Sequence, residues 1–262
     1  MQVLHQTLPI AKFSFTNGQT AQAINVQDHT QLPTALRQLG LIGSHPVLVV
    51  VGGANNLEPP DYDRLQHLFL DSLAPLAQEL GMVIVDGGTN SGVMKLMGQA
   101  RSTIHASFPL IGVAPSNKVY LPNQPQTTGT HPLEPHHTHF ILTPGSKWGD
   151  ESPWIAAIAS LLSGDSPSVT VLLNGGNVSL IDVRESVAEG RPVVVIAGTG
   201  RLADKLATAL APEADVPEEL SPVIREGRFA LFDVSKPTAR FKSNLKHYFS
   251  DQYSRLQAVQ ML

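Results

Sequence analysis

The 262-residue chain contains no cysteine, which excludes a disulfide framework, a thiolate metal site and a cysteine nucleophile. It also lacks an excess of positive charge. With 18 basic and 22 acidic residues its formal net charge is -4, so counterion-release binding to DNA or RNA is not expected as its main function. No apolar run approaches the roughly 20 residues that span a bilayer, and the opening MQVLHQTLPIAKF lacks the basic start and unbroken apolar core of a signal peptide. Membrane insertion is therefore not expected, and the cytoplasm is the expected compartment.

What is present is a repeated unit. Short β-branched runs at residues 47–51, 82–85, 110–113, 169–173 and 193–197 read as buried parallel strands. Four of them end in glycine turns: Gly52-Gly53-Ala54, Gly87-Gly88-Thr89, Gly175-Gly176 and Gly198-Thr199-Gly200. Segments of helical period follow, and Pro75 marks a kink or break in the first. Residues 139–142 add a short strand, 216–227 an acidic helix, 229–233 a last strand, and a final helix starts at Thr238. Alternation of this kind predicts an α/β fold, a Rossmann-like doubly wound and mainly parallel sheet with helices on both faces. Residues 1–44 read as an N-terminal β embellishment, a hairpin turning at Asn17-Gly18. Residues 45–262 read as one nucleotide-binding domain. The proline- and threonine-rich loop over 115–135 is long enough to suggest a functional connection.

Glycine turns at the carboxyl edge of a parallel sheet let backbone N–H groups approach a pyrophosphate. One such turn serves packing as readily as ligand; four on one edge favour a nucleotide-like ligand. The turn Gly198-Thr199-Gly200-Arg201-Leu202-Ala203 fits G-x-G-x-x-A, although the acid expected about 20 residues later has only Glu218 to fill it. Arg201 offers a forked cationic contact to phosphate, or else a surface ion pair with Asp204. Glu134, His136, His137 and His139 resemble metal ligands, yet HxH is common and no second ligand group has a partner spacing, so no metal is assigned. A histidine lining the ligand crevice is the simpler reading. Trp148, in Gly145–Glu151, is placed either to stack on a base or to pack at a helix entrance. The basic start of the final helix, with Lys236, Arg240, Lys242 and Lys246, is read as a solvated face or else an anion or partner site, the partner being an oligomer or effector contact.

Several segments together resemble the SLOG-type domain at the N-terminus of melastatin-type TRP channels, in its prokaryotic LSDAT form: DGGTNSGVMKLMGQA, IGVAP, HHTHFIL, GSKWGDE and LLNGGNVSLIDVRESVAEGRPVVVIAGTGRLAD. The likeness runs over about residues 45 to 210 in matching order. It implies a domain that binds or senses ADP-ribose, NAD or cyclic ADP-ribose-like molecules and requires no cofactor. By motif, Gly52, Gly53, Ala54 and Asn55 would form the first wall, and Gly87, Gly88, Thr89 and Gly92 the second. Gly175, Gly176, Val178 and Ser179 would form the third, Gly198, Thr199, Gly200 and Arg201 would close the site, and His139 falls in its HxHF motif. More distantly similar are the cytokinin-activating phosphoribohydrolases, formerly called lysine decarboxylase-like, with GGGxxGxM and PGGxGTxxE. In this chain the second motif is NGGNVSLID: Asn174 replaces proline, Val178 glycine, Ser179 threonine, and Asp182 the catalytic glutamate. Those enzymes' arginine-lysine pair has no counterpart near Phe140 to Trp148. Binding is thus favoured, with an N-glycosidic hydrolase using Asp182 as acid or base the alternative.

Overall fold

The computed structural model describes residues 7–53, 59–122 and 124–260, with side chains placed for residues 7–53, 62–122 and 124–251. In chain order the elements are β1 (Ile10–Ser14), β2 (Thr20–Asn25), α1 (Leu32–Gln38), β3 (Val47–Gly52), α2 (Pro59–Leu68), α3 (Ala74–Glu79), β4 (Val83–Asp86) and α4 (Gly92–Thr103). Next come β5 (Leu110–Pro115), β6 (Val119–Tyr120), β7 (His131–Pro132), β8 (His139–Thr143), α5 (Ser152–Ser163) and β9 (Ser168–Leu173). The chain closes with α6 (Asn177–Ala188), β10 (Val193–Ala197), α7 (Arg201–Ala209), α8 (Ser221–Glu226), β11 (Phe229–Asp233) and α9 (Thr238–Gln260).

Nine strands form one sheet in the order β1-β2-β8-β5-β4-β3-β9-β10-β11. Only the β1–β2 pairing is antiparallel. The period-two geometry of a strand explains why the continuous run at 47–51 suits its place: Val47, Val49 and Val51 enter the core on one face, Leu48 and Val50 the core on the other. The first core is covered by α1, α5, α6, α7 and α8, the second by α2, α3, α4 and α9. This is the doubly wound α/β fold the alternation predicts. The N-terminal hairpin is continuous with it, because β2 pairs in parallel with β8 and Ile24, Val26, Leu32 and Leu36 join the first core.

Strand β3 is followed outward on one side by β4, β5 and β8, and on the other by β9, β10 and β11. The direction of winding therefore reverses between β3 and β9. In open α/β sheets the crevice outside the carboxyl ends at that switch point is where ligands bind. Here the two carboxyl ends approach so closely that a Cβ on Gly52 would lie 2.1 Å from the Leu173 carbonyl oxygen, so glycine is required.

Local differences from the sequence expectations have physical causes. Pro75 does not break its helix. A π-helical turn over Phe69–Leu73 precedes it and absorbs the register change that a missing N–H imposes. The acidic stretch 216–227 is helical only over Ser221–Glu226, after Pro217. The basic start of α9 turns inward in part: Lys242 and Lys246 both pair with Glu79 at the end of α3, which ties the helix to the second core.

Candidate functional site

At the switch point lies a cleft of about 310 Å³, walled by the β3, β4 and β9 turns and by the starts of α4, α5, α6 and α7. Of the residues singled out from sequence, Gly52, Gly53, Gly87, Thr89, Gly92, Gly176, Val178, Ser179, Asp182 and Arg201 line it. Ala54 and Asn55 fall outside the described residues. Gly88 sits behind the wall, its Cα so near Gly112 that no Cβ would fit.

The β9 and β10 turns are built as one piece. Asn174 adopts φ 54°, a left-handed conformation that asparagine tolerates and proline cannot reach. Its side-chain Nδ2 donates to the Thr199 carbonyl (2.7 Å) and its backbone N–H to Thr199 Oγ1 (2.8 Å). In return, Ala203 N–H donates to Asn174 O (2.9 Å) and Leu202 N–H to Gly175 O (3.3 Å). Gly198 N–H is taken by Asp204 Oδ1 (2.6 Å). The Gly198-Thr199-Gly200 turn thus departs from the expectation of a phosphate loop, since the N–H groups of Gly198, Leu202 and Ala203 are already used. Thr199 is buried, and the turn serves as a scaffold that delivers Arg201.

Arg201 itself, at φ 50°, turns its guanidinium over the glycines of two other turns. A Cβ on Gly176 would lie 2.6 Å from Nη2, and one on Gly53 3.4 Å from Nη1. It makes no ion pair with Asp204, whose carboxylate is occupied by Gly198, and no protein acceptor binds it among the described residues. Helices α4 and α6 also begin at the cleft, and the opening N–H groups of both, at Gly92–Val93 and Asn177–Val178, have no protein acceptor among the described residues. Such helix starts carry partial positive charge and favour anions.

Opposite these positive features stand groups that sequence reasoning undervalued. His131, from the long loop, meets Trp148 edge-on at 5.5 Å, and both rings line the cleft. Glu151 sits at the N-cap position of α5 and is buried, with Oε2 accepting Gly149 N–H at 2.7 Å. Burial pushes its carboxyl above the ordinary value. Asp182, in the second turn of α6, accepts a hydrogen bond from Ser152 Oγ on Oδ1. Burial, with Glu151 and Glu185 adding repulsion, pushes it up to about 7 despite that bond. The stretch Gly149-Asp150-Glu151-Ser152 gives no hint of this; the acids meet only because α5 and α6 pack side by side.

The histidines settle elsewhere. His137 is buried between Asp86 Oδ1 on Nε2 and Glu134 Oε2 on Nδ1, each at 2.8 Å. Burial opposes its protonation, but the charge and hydrogen bonds of Asp86 and then Glu134 prevail and raise it to about 9. Both ring nitrogens are therefore occupied, and His136 adds a 2.6 Å bond to Glu134 Oε1. Asp86 Oδ1 also accepts Gly88 N–H, while Gly88 O accepts Glu134 N–H, so this network clamps the β4 turn from behind. No group of three or more potential metal-ligating residues is arranged for a metal ion among the described residues. His139 is not brought to the cleft. It opens β8, at the amino end of the strand, and lies in a separate hollow with Lys12, Gln22 and Thr138, where burial lowers it to about 4.

The fold and cleft together define a Rossmann-like protein with a crevice at the switch point where one arginine and two helix starts face two acids. Residues 45–242 match the family described as SLOG in TRPM, prokaryote, and the chain belongs to that family. It is 28% identical over 203 residues to transient receptor potential cation channel subfamily M member 2 of Rattus norvegicus, a match covering 63% of this chain and 13% of the channel. Against subfamily M member 6 of Homo sapiens it is 29% identical over 194 residues, covering 62% of this chain and 9% of the channel. The chain thus corresponds to a small part of these channels, and no helix of the described residues is long and apolar enough to cross a membrane. Among solved structures, the X-ray structure of TM1055 has a TM-score of 0.50 at 20% identity, with 76% of this chain and 99% of that one covered, a likeness of fold.

Proposed function

We propose that the cleft binds a nucleotide-derived small molecule of the ADP-ribose or NAD class as a recognition site. The observation that carries this reading is the guanidinium of Arg201, laid across Gly53 and Gly176 without a protein acceptor and facing the open starts of α4 and α6. Phosphates fit between these groups. The Trp148–His131 wall provides an aromatic surface for a base. Isothermal titration with ADP-ribose, NAD, cyclic ADP-ribose and AMP is the test. Micromolar binding of at least one is expected, weakened about tenfold to a hundredfold by Arg201→Ala through loss of a charged hydrogen-bonding pair. Absence of binding to all four overturns the reading.

One observation favours hydrolysis as a second reading. Asp182, held near 7 beside the cleft, is matched to general acid–base work. Incubation of the same nucleotides with chromatography for free base tests it. Release of base that disappears in Asp182→Ala supports an N-glycosidic hydrolase, and release unaffected by that substitution rejects this role for Asp182.

A further inference from the structure

The cleft that receives Arg201 also holds two acids, and their surroundings decide what an incoming anion must overcome. Glu151 comes from the cap of α5 and Asp182 from α6, and both line the same space. Ser152 hydrogen-bonds Asp182 Oδ1, and Gly149 hydrogen-bonds Glu151 Oε2. Asp182 Oδ2 takes no protein donor among the described residues. Glu185 stands one turn further along α6 and adds negative charge, as does Asp150 beside Glu151. From the other elements, α7 contributes Arg201 and β7 contributes His131. Among the described residues the only permanent cation lining the cleft is thus Arg201, set against two acids before any ligand arrives.

A ligand with two phosphate charges would leave this space with a clear excess of negative charge in poorly screened surroundings. We propose that the cleft takes up a proton together with a phosphate-bearing ligand, with Glu151 and Asp182 as the accepting pair and Asp182 as the residue that holds it. The proton comes from solvent and binds Oδ2. That oxygen then changes from an acceptor that repels the ligand into a hydroxyl that donates to a ligand oxygen, such as a ribose hydroxyl or a phosphate. Asp182 is a specificity-determining residue in this account: its protonated form admits anions that its ionised form disfavours. The inference deepens the nucleotide-binding reading and rests on it. Because the acid in the free cleft titrates at about 7, the effect falls in the range where most measurements are made.

The experiment is titration of the full chain with ADP-ribose from about pH 6 to about pH 9, repeated in two phosphate-free buffers of different ionisation enthalpy. The pyrophosphate of ADP-ribose keeps a constant charge over that range, so any proton exchanged belongs to the protein. The expected result is net proton uptake on binding and an affinity that falls by up to about tenfold per pH unit above pH 7, the slope for one linked proton. Asp182→Asn, whose amide donates at every pH, should abolish both the uptake and the slope. Glu151→Gln should keep them but move the slope to lower pH, because removal of its charge lets Asp182 ionise sooner. Binding with the same affinity across the range, or an undiminished slope in Asp182→Asn, overturns the proton linkage while leaving nucleotide recognition standing. No binding at any pH overturns both.

Discussion

Two acid clusters flank the same glycine-lined edge, and they differ in where their positive charge comes from. Asp86 and Glu134 enclose His137, a cation built into the fold and hydrogen-bonded on both ring nitrogens. Glu151 and Asp182 enclose none; their nearest partners are a serine hydroxyl and a backbone N–H. The first cluster is closed to solvent and fixes the shape of the β4 turn through Gly88. The second faces the cleft, where its imbalance can respond to a ligand. The lesson is that compensated buried charge builds a rigid wall, whereas uncompensated charge at an opening creates a site whose state depends on what enters it.

The comparison breaks most severely at His137. Replacement by Gln leaves two buried acids facing each other without their cation, and about 3–5 kcal/mol of stability should be lost in urea unfolding near neutral pH. The pH profile carries the sign. His137 has a folded value of about 9 against an unfolded value near 6.5, so its contribution is complete below the unfolded value and is lost as pH rises through the folded one. The gap between wild type and His137→Gln should therefore narrow as pH rises toward and beyond 9. A gap independent of pH would show that His137 acts through packing and not through charge.

A smaller effect, opposite in sign to that of the usual glycine-to-alanine change in a helix, is expected next to it, at Gly98 in α4. Glycine to alanine inside a helix ordinarily stabilises by about 0.5–1 kcal/mol. Here a Cβ would lie 2.1 Å from Glu134 Oε2, so the carboxylate holding His137 would have to shift. Gly98→Ala should destabilise by about 1–3 kcal/mol, the usual cost of overpacking, in the same unfolding measurement. Stabilisation instead would mean that Glu134 has room to move and that the cluster is not the rigid wall described.

These contrasts also mark how far sequence reasoning reached. The sheet was legible because strands buried on both faces read as unbroken β-branched runs, and residues 47–51 and 193–197 fall where that pattern places them. The place of Arg201 at a helix start was legible because it follows a glycine turn. The Gly198-Thr199-Gly200 turn misled for the same reason: its pattern shows glycines but not that Asn174 and Gly175 take the N–H groups behind them. His139 misled because the motif resemblance assigned it to the site, although the strand read over 139–142 opens with it and so sets it at the amino end, away from the carboxyl edge. The pairs that define the two clusters were out of reach, with Asp86 and His137 separated by 51 positions and Ser152 and Asp182 by 30. Only the crossing of the sheet brings them together.

The mildest test lies in the open cluster and has the opposite sign to that at His137. Asp182 titrates at about 7 in the folded chain against an ordinary value of 3.8, so folding disfavours its ionised form. The cost is absent below the unfolded value, where the carboxyl is protonated in both states, grows as pH rises from there, and is fully present above about 7. Asp182→Asn removes a group that must be desolvated as a charge, while an amide oxygen can still accept the Ser152 hydrogen bond. Because the cleft admits water, the full shift does not convert into stability, and a gain of about 1 kcal/mol above pH 7 is expected. Below about pH 4 the two proteins should unfold at the same denaturant concentration. A variant less stable than wild type at alkaline pH would show that Asp182 is compensated in the free protein much as Glu134 is, and would remove the distinction between the clusters.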